Sequence, residues 1–303
     1  MRRTATIRRG QPSLDSVNPD ATAVVPVYRP PAAELMSVID ALTGAGIAVL
    51  VVDDGSPAEF GEVLDEARAR GAEVRSHSDN AGIARGLNDG LDHARAVGAQ
   101  WLLTVDQDST LPDGYVDAIS AAAERAVYRL GRHRVGAVAA GSVDDASGPI
   151  SYPVTPVAGL PTTEDVIQSG TVWSVSAMTE VGGFDETLGI DAVDAAACLR
   201  LRESGRVIVL AEQARIQQRL GNAHQVRLFG RTVIATGHSP ERRTTMVRNR
   251  LRLAPAEFRQ SPKHAIRTLR RVAVSTFLAV TVEDDRWAKA KASARGLLPA
   301  RRR

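Results

Sequence analysis

Two acidic pairs each close a short apolar run: Asp53-Asp54 follows IAVLVV, and Asp106-Gln107-Asp108 follows WLLTV. In the second, the carboxylates fall on alternate residues, so a turn of the backbone there points both into one crevice. Carboxylate oxygens are hard ligands suited to Mg2+ or Mn2+, and an ion held by them takes a diphosphate. A single D-x-D is more often a solvated acidic loop, and two acidic run ends in one chain bring the site reading level with that one. A third group, GIDAVDAAACLRLR, carries Asp191 and Asp194 three residues apart, on one face if the segment is helical. A carboxylate there either caps the helix start, where the dipole favours negative charge, or takes a proton from an incoming hydroxyl. Between the first two pairs, NAGIARGLNDG (80–90) has glycine or another small residue at nearly every second position. That pattern allows the backbone close approach to a ligand or forms a tight helix start. Its spacing does not fit G-x-G-x-x-G after a first strand, which disfavours a dinucleotide-dependent dehydrogenase.

These groups must be positioned by alternating strands and helices. ATAVVPV (21–27) reads as a buried strand, AAELMSVIDALTGAG as a helix with Leu35, Val38, Ile39 and Leu42 on one face, and IAVLVV as the next strand. A second cycle places a helix at 58–70, a strand at 73–77, a loop and helix at 80–97 and a strand at 101–105. Further strands are expected at 135–140, 172–176 and 207–211, with a helix at 192–203. The pattern predicts an α/β fold whose sheet is parallel and covered on both faces, with its ligand crevice beyond the carboxyl ends of the strands.

The chain has 303 residues, 44% hydrophobic and 24% charged, so its core needs no disulfide or structural metal. One cysteine, Cys198, excludes an internal bridge and makes a reducing cytoplasm the expected setting. Residues 1–20 lack the apolar core of a signal peptide and are expected to form a flexible leader. The net charge of +3 conceals an asymmetry: residues 1–199 carry 14 Lys+Arg against 28 Asp+Glu, residues 200–303 carry 24 against 7. The basic part attracts nucleic acid, anionic lipid or a phosphorylated ligand. With 4% aromatic residues, not interleaved with the arginines, and no nucleic-acid-binding motif, nucleic acid is not expected as a partner. From about residue 240 the chain reads as helical. Its apolar run Val272–Val282, behind Arg267, Arg270 and Arg271, is too short to span a bilayer. It reads as a helix lying on an anionic inner leaflet, or as a core-packing helix.

The ordered series VVPVY, VVDDGS, NAGIARGLNDG, VDQDS, SGTVWSVSAMTEVGGFDE, GIDAVDAAACLRLR and HSPERRTTMVRN resembles family 2 glycosyltransferases of GT-A fold, particularly their bacterial rhamnosyltransferase branch. The resemblance spans about residues 21–250. It implies a mostly parallel, Rossmann-like central sheet with helices on both faces, a catalytic domain over 21–235 and a basic helical extension over 236–303. By the same resemblance, Pro26, Tyr28, Asp53 and Asp54 would hold base and ribose, and Asn80, Gly82 and Asn88 would line the nucleotide side. Asp106 and Asp108 would hold Mg2+ or Mn2+ on the donor diphosphate. Ser169, Gly170 and Gly182–Glu186 would border the sugar and acceptor, while Arg248 and Asn249 would close over the diphosphate. Asp194 would be the general base, with Asp191 beside it. The implied reaction is inverting transfer of L-rhamnose from dTDP-L-rhamnose to a growing or lipid-linked cell-surface glycan. Two departures stand out: Ala196 replaces a second acid, and Gln218 replaces a metal-ligating His. His224 and His238 are candidate substitutes for that ligand, although a solvated loop histidine is the favoured reading of both. Other readings are a family 2 enzyme using another donor such as UDP-galactose, and a non-catalytic nucleotide-sugar-binding protein.

Overall fold

A computed structural model describes residues 20–145, 148–218, 224–228, 231–235 and 237–298. The terminal parts of the expected leader and of the basic tail lie outside the described residues. The first strands are β1 (Ala21–Val27) and β2 (Ala48–Asp53), both rich in β-branched residues, then β3 (Glu73–Ser76) and β4 (Trp101–Thr104). They pair in the order β3-β2-β1-β4, all parallel, linked by α1 (Ala32–Gly44), α2 (Gly61–Ala69) and α3 (Ile83–Ala96). The chain winds outward from β1 to β2 and β3, then returns to β4 on the other side, so a topological switch point lies at the tip of β1.

After β4 come α4 (Tyr115–Leu130), β5 (Val135–Asp145), the short strands β6 (Gly148–Ser151), β7 (Thr155–Val157) and β8 (Leu160–Thr163), then β9 (Thr171–Ser174), α5 (Val175–Glu180), α6 (Val193–Glu203) and β10 (Val207–Gln217). The sheet continues as β4-β9-β5-β10-β8-β7, with β6 on the edge of β5. The mostly parallel central sheet implied by the resemblance is present, and it includes antiparallel members. β10 runs parallel to β5, but β9 is antiparallel to both its neighbours, and β6, β7 and β8 add antiparallel pairs. The strand expected at 172–176 ends at Ser174, whose Oγ accepts from Ala177 N–H (3.4 Å) and starts a helix instead. Helix α4 is absent from the expected elements, although Val116, Ile119, Ala123, Ala126 and Leu130 recur at helical spacing and are buried.

Alternation along each strand divides the core. Ala23, Val25 and Val27 pack with α1, α2 and α4 through Leu35, Ile39, Leu64 and Ile119, while Val24, Leu50 and Leu102 pack with α3, α5 and α6 through Leu87, Met178 and Leu199. Two of the glycines read as lying near a ligand serve this second face. A Cβ on Gly90 would sit 2.5 Å from Val24 Cβ, and one on Gly86 3.2 Å from Pro26 Cβ, so their bareness lets α3 lie directly on β1.

Beyond the sheet, β11 (His224–Leu228) and β12 (Arg231–Ala235) pair as a hairpin, followed by α7 (Pro240–Gln260), α8 (Pro262–Thr281) and α9 (Arg286–Gly296). Arg243 is buried among these helices and donates to Ser275 Oγ and Thr276 Oγ1, both at 2.7 Å. The buried pair Lys289–Glu283 (2.9 Å) secures α9. Among the described residues, no helix is long and apolar enough to cross a membrane.

Candidate active site

The parallel registers Val27↔Asp53 and Val24↔Thr104 bring the tips of β2, β1 and β4 side by side, and with them Asp53-Asp54, Tyr28 and Asp106. Asp53 Oδ1 accepts from Ser56 N–H (3.1 Å), turning the chain at the end of β2. Asp54 is committed to the glycine loop: Oδ1 accepts from Ala81 N–H (2.9 Å) and Oδ2 from Gly82 N–H (2.8 Å). His77 bridges Asp54 (3.1 Å) to Asp89 (2.6 Å). Burial works against its charge, but hydrogen bonds to the two carboxylates prevail and raise its pKa. Asp54 thus shapes the glycine loop rather than simply projecting into the crevice.

Gln107, between the two acids of the D-x-D, fastens the tips of β1 and β4. It accepts from Tyr28 N–H at 2.9 Å and donates to Tyr28 C=O at 3.3 Å. Tyr28 itself stays partly exposed, with the Arg29 guanidinium 5.2 Å from its ring centroid. Behind the acids, Ser169 is buried; its Oγ accepts from Asp106 N–H (2.9 Å) and lies 2.7 Å from Ser109 Oγ. Gly170, at φ +74°, donates to Thr104 C=O (2.7 Å) and accepts from the Tyr115 hydroxyl. Ser169 and Gly170 therefore back the acidic turn.

Asp106 receives two side-chain amides, Gln168 Nε2 on Oδ1 and Gln218 Nε2 on Oδ2. Burial, then the negative charges of Asp108 and Asp194, push its pKa up to about 7. Asp106 therefore feels both its D-x-D partner and the first turn of α6. Two hard carboxylates that repel each other in a buried setting fit a divalent cation. Among the described residues, no group of three or more His, Cys, Asp or Glu is placed to hold one. The nearest further acceptors are the carbonyl oxygens of Gln168 and Gln218, both buried and without a hydrogen-bond partner. Burial and the cations Arg242 and Arg243 lower the pKa of His238 to about 4, so its imidazole is neutral near pH 7. His224 falls in β11, where side chains lie outside what is described.

Asp194 sits in the first turn of α6, after Ala192 at φ +66°, a strained conformation for a residue with a Cβ. Asp194 Oδ1 accepts from Ala195 N–H (2.7 Å). Burial and the charge of Asp165 raise its pKa to about 6, against the pull of Arg250. Arg250 pairs with Asp165 at 3.5 Å. Asp191 is also raised by burial, opposed by Arg242, whose Nε donates to Asp191 Oδ1 at 3.2 Å.

The remaining expected residues divide by what they touch. Pro26 is buried inside β1 opposite Val52, and Asn80 is exposed beside the glycine loop. Asn88 spends its amide on the segment 182–186, accepting from Phe184 N–H (2.7 Å) and donating to Phe184 C=O (3.0 Å) and Glu186 Oε1 (2.7 Å). Asn249 is buried and donates to Leu188 C=O (2.8 Å) and Asp191 C=O (2.7 Å), so it holds the loop before α6. Arg248 Nε is buried without a hydrogen-bond partner. Four residues outside the expected set enter the site: Gln168, Asp165, Arg242 and Arg250. Arg242 stands within the quoted HSPERR stretch and Gln168 just before Ser169-Gly170. Asp165 and Arg250 carry no signal of their own.

Residues 22–135 match the sequence profile of Glycosyl transferase family 2. Over 248 residues the chain is 26% identical to the dTDP-rhamnosyl transferase RfbF of Shigella flexneri, covering 77% of this chain and 79% of that protein. Among solved structures, GalNAc-T7 with UDP, GalNAc and Mn2+ superimposes with a TM-score of 0.56 at 15% identity, covering 78% of this chain and 47% of that one. TarS of S. aureus gives 0.54 at 16% identity, covering 92% and 49%, and its 1–349 fragment with UDP-GlcNAc gives 0.52 at 16%, covering 90% and 79%. The chain spans about half the length of GalNAc-T7 and of the longer TarS chain, and these likenesses speak for the fold. The shared architecture gives the chain the GT-A fold, and its residues 22–135 are similar to Glycosyl transferase family 2.

Proposed function

We propose that the chain is an inverting, metal-dependent glycosyltransferase that moves L-rhamnose from dTDP-L-rhamnose to a hydroxyl of a growing or lipid-linked cell-surface glycan. The observation that carries the reading is that Asp106, just past the end of β4, feels the charges of both Asp108 and Asp194, so the acidic turn and a carboxylate in the first turn of α6 lie within electrostatic reach of each other. Likeness to the Shigella flexneri rhamnosyl transferase supports the choice of donor.

In this reading the tips of β1 and β2 and the loop shaped by Asp54 seat the nucleotide. Asp106 and Asp108 hold Mg2+ or Mn2+, which when bound neutralises the departing diphosphate as a Lewis acid. Arg242, a cation felt by both Asp106 and Asp191, adds positive charge on the same side. Asp194 takes the acceptor hydroxyl's proton on Oδ2, its Oδ1 being turned to Ala195 N–H. Attack from the face opposite the nucleotide inverts the anomeric centre, so a β-linked donor yields an α-L-rhamnoside. Much of the acceleration comes from holding acceptor oxygen, anomeric carbon and leaving group in line.

The catalytic unit is assigned to 21–235 and the basic helical extension to 236–303, with α7 of the extension bracing the base loop through Asn249. The extension is assigned to the inner face of the membrane, where lipid-linked acceptors reside. Support comes from the exposed Ile266, Val274 and Phe277 of α8, with Arg270 and Arg271 also exposed. Incubation of the full chain with dTDP-L-rhamnose or UDP-galactose, Mg2+ and a lipid-linked acceptor tests the reading. An α-rhamnosyl product from the first donor alone supports it. Transfer only from UDP-galactose moves the chain to another donor class, and donor binding without transfer makes it a binding protein.

A further inference from the structure

The amides of Gln168 and Gln218 point their N–H groups at the two oxygens of Asp106 and leave both of their own carbonyl oxygens buried with no partner. Gln168 is only 7% exposed. A buried carbonyl left without a partner is costly, and here two of them flank the same carboxylate. A half-turn of each amide about its last side-chain bond exchanges donor for acceptor with no change of volume. After that turn two carbonyl oxygens face Asp106, an arrangement that repels unless a cation lies between them. The present orientation suits Asp106 without a cation, and the reversed one suits it with a cation.

We propose that Gln168 and Gln218 are reversible ligands: on cation binding their amides turn over, and their carbonyls join Asp106 and Asp108 in an all-oxygen shell. Such a shell suits hard ions, and the absence of an imidazole removes the nitrogen that strengthens binding of Mn2+ relative to Mg2+. The chain is therefore expected to discriminate little between these two ions. The inference deepens the glycosyltransferase reading, on which it rests only for the diphosphate that the ion neutralises.

The test is direct binding of Mn2+ to the full chain, read from the loss of the free-ion electron paramagnetic resonance signal, with Mg2+ as competitor. Gln218→Glu keeps the oxygens and removes the N–H donor; it is expected to bind Mn2+ at least as tightly as the parent. Gln168→Leu is expected to weaken binding about tenfold. Gln218→His is expected to raise the preference for Mn2+ over Mg2+ about tenfold or more. Weaker binding in Gln218→Glu shows the amide to be only a donor to Asp106 and overturns the proposal, as does an unchanged ion preference in Gln218→His or no Mn2+ binding by the parent chain. Thermal melts of each variant identify any that fail to fold, and the remaining variants then decide. Sugar transfer in the presence of a chelator, together with a failed Mn2+ test, would retain the glycosyltransferase and discard the amide ligands.

Discussion

Gln107 makes both of its side-chain hydrogen bonds to the backbone of one residue, Tyr28, and so extends the pairing of β1 and β4 past the last rung of their ladder. The middle letter of the D-Q-D is a fastener that fixes where Asp106 and Asp108 leave the sheet. Gln107→Ala removes both bonds at a partly exposed position, and a stability loss of about 1 kcal/mol is expected in urea denaturation. The larger expected effect is on nucleotide affinity, measured by calorimetric titration with dTDP. Full affinity in the variant would reduce the clasp to a local ornament.

Asp194→Asn is expected to lower turnover by about a hundredfold or more while leaving donor binding nearly intact. In the parent chain the base must be ionised. With a pKa raised to about 6 by burial and by Asp165, activity should rise through pH 6 and level off above it. Neutralising Asp165 as Asp165→Asn moves that inflection to lower pH, and Arg250→Gln moves it to higher pH. A pH–rate profile that shifts the same way in both variants contradicts the assignment.

The same carboxyl carries a cost in stability. Its folded pKa lies above its unfolded value, so the native state holds the proton more tightly, and the associated stability is present below pH 4 and lost as pH rises through about 6. Asp194→Asn removes this penalty. The variant is expected to melt higher than the parent at pH 8, with the difference shrinking as pH falls toward 4. Thermal denaturation at the two pH values measures it.

Asn249→Ala withdraws a buried amide from the carbonyls of Leu188 and Asp191. A loss of about 2–3 kcal/mol is expected, accompanied by faster hydrogen exchange in the loop before α6. Exchange confined to α7 would show that Asn249 serves only its own helix.

Gly90→Ala forces a methyl into the 2.5 Å gap to Val24. Alanine's better helix propensity, about 1 kcal/mol, is outweighed by overpacking, and a net destabilisation of about 1–3 kcal/mol is expected from the denaturation midpoint. A stabilised variant would mean that α3 can lift from β1.

The strands around the switch point were legible because VVPV, VLVV and WLLT bury both faces and therefore read as unbroken apolar runs. Asp53, Asp54, Asp106 and Asp108 were legible because they stop those runs. The antiparallel β9 was not, since TVWS reads alike in either direction and only the excursion through β6, β7 and β8 sets its sense. Asp165 and Arg250 were invisible for a related reason: they lie far apart in the chain and acquire meaning only when α7 closes against the turn before β9. Asn88 and Asn249 are placed as ligand contacts by the family resemblance alone. In the structure their amides bond to the backbone of Phe184, Leu188 and Asp191 and to the Glu186 carboxylate, partners that no local pattern announces.

A Cβ on Gly82 would lie 2.9 Å from Gly189 C=O, so the loop gripped by Asp54 and the loop leading to Asp191 and Asp194 touch backbone to backbone. With no side chain between them to absorb a misfit, the two segments have to be inherited as a matched set. Grafting a relative's version of the loop before α6 into this scaffold would require its glycine loop to travel with it, and the two are best exchanged at once.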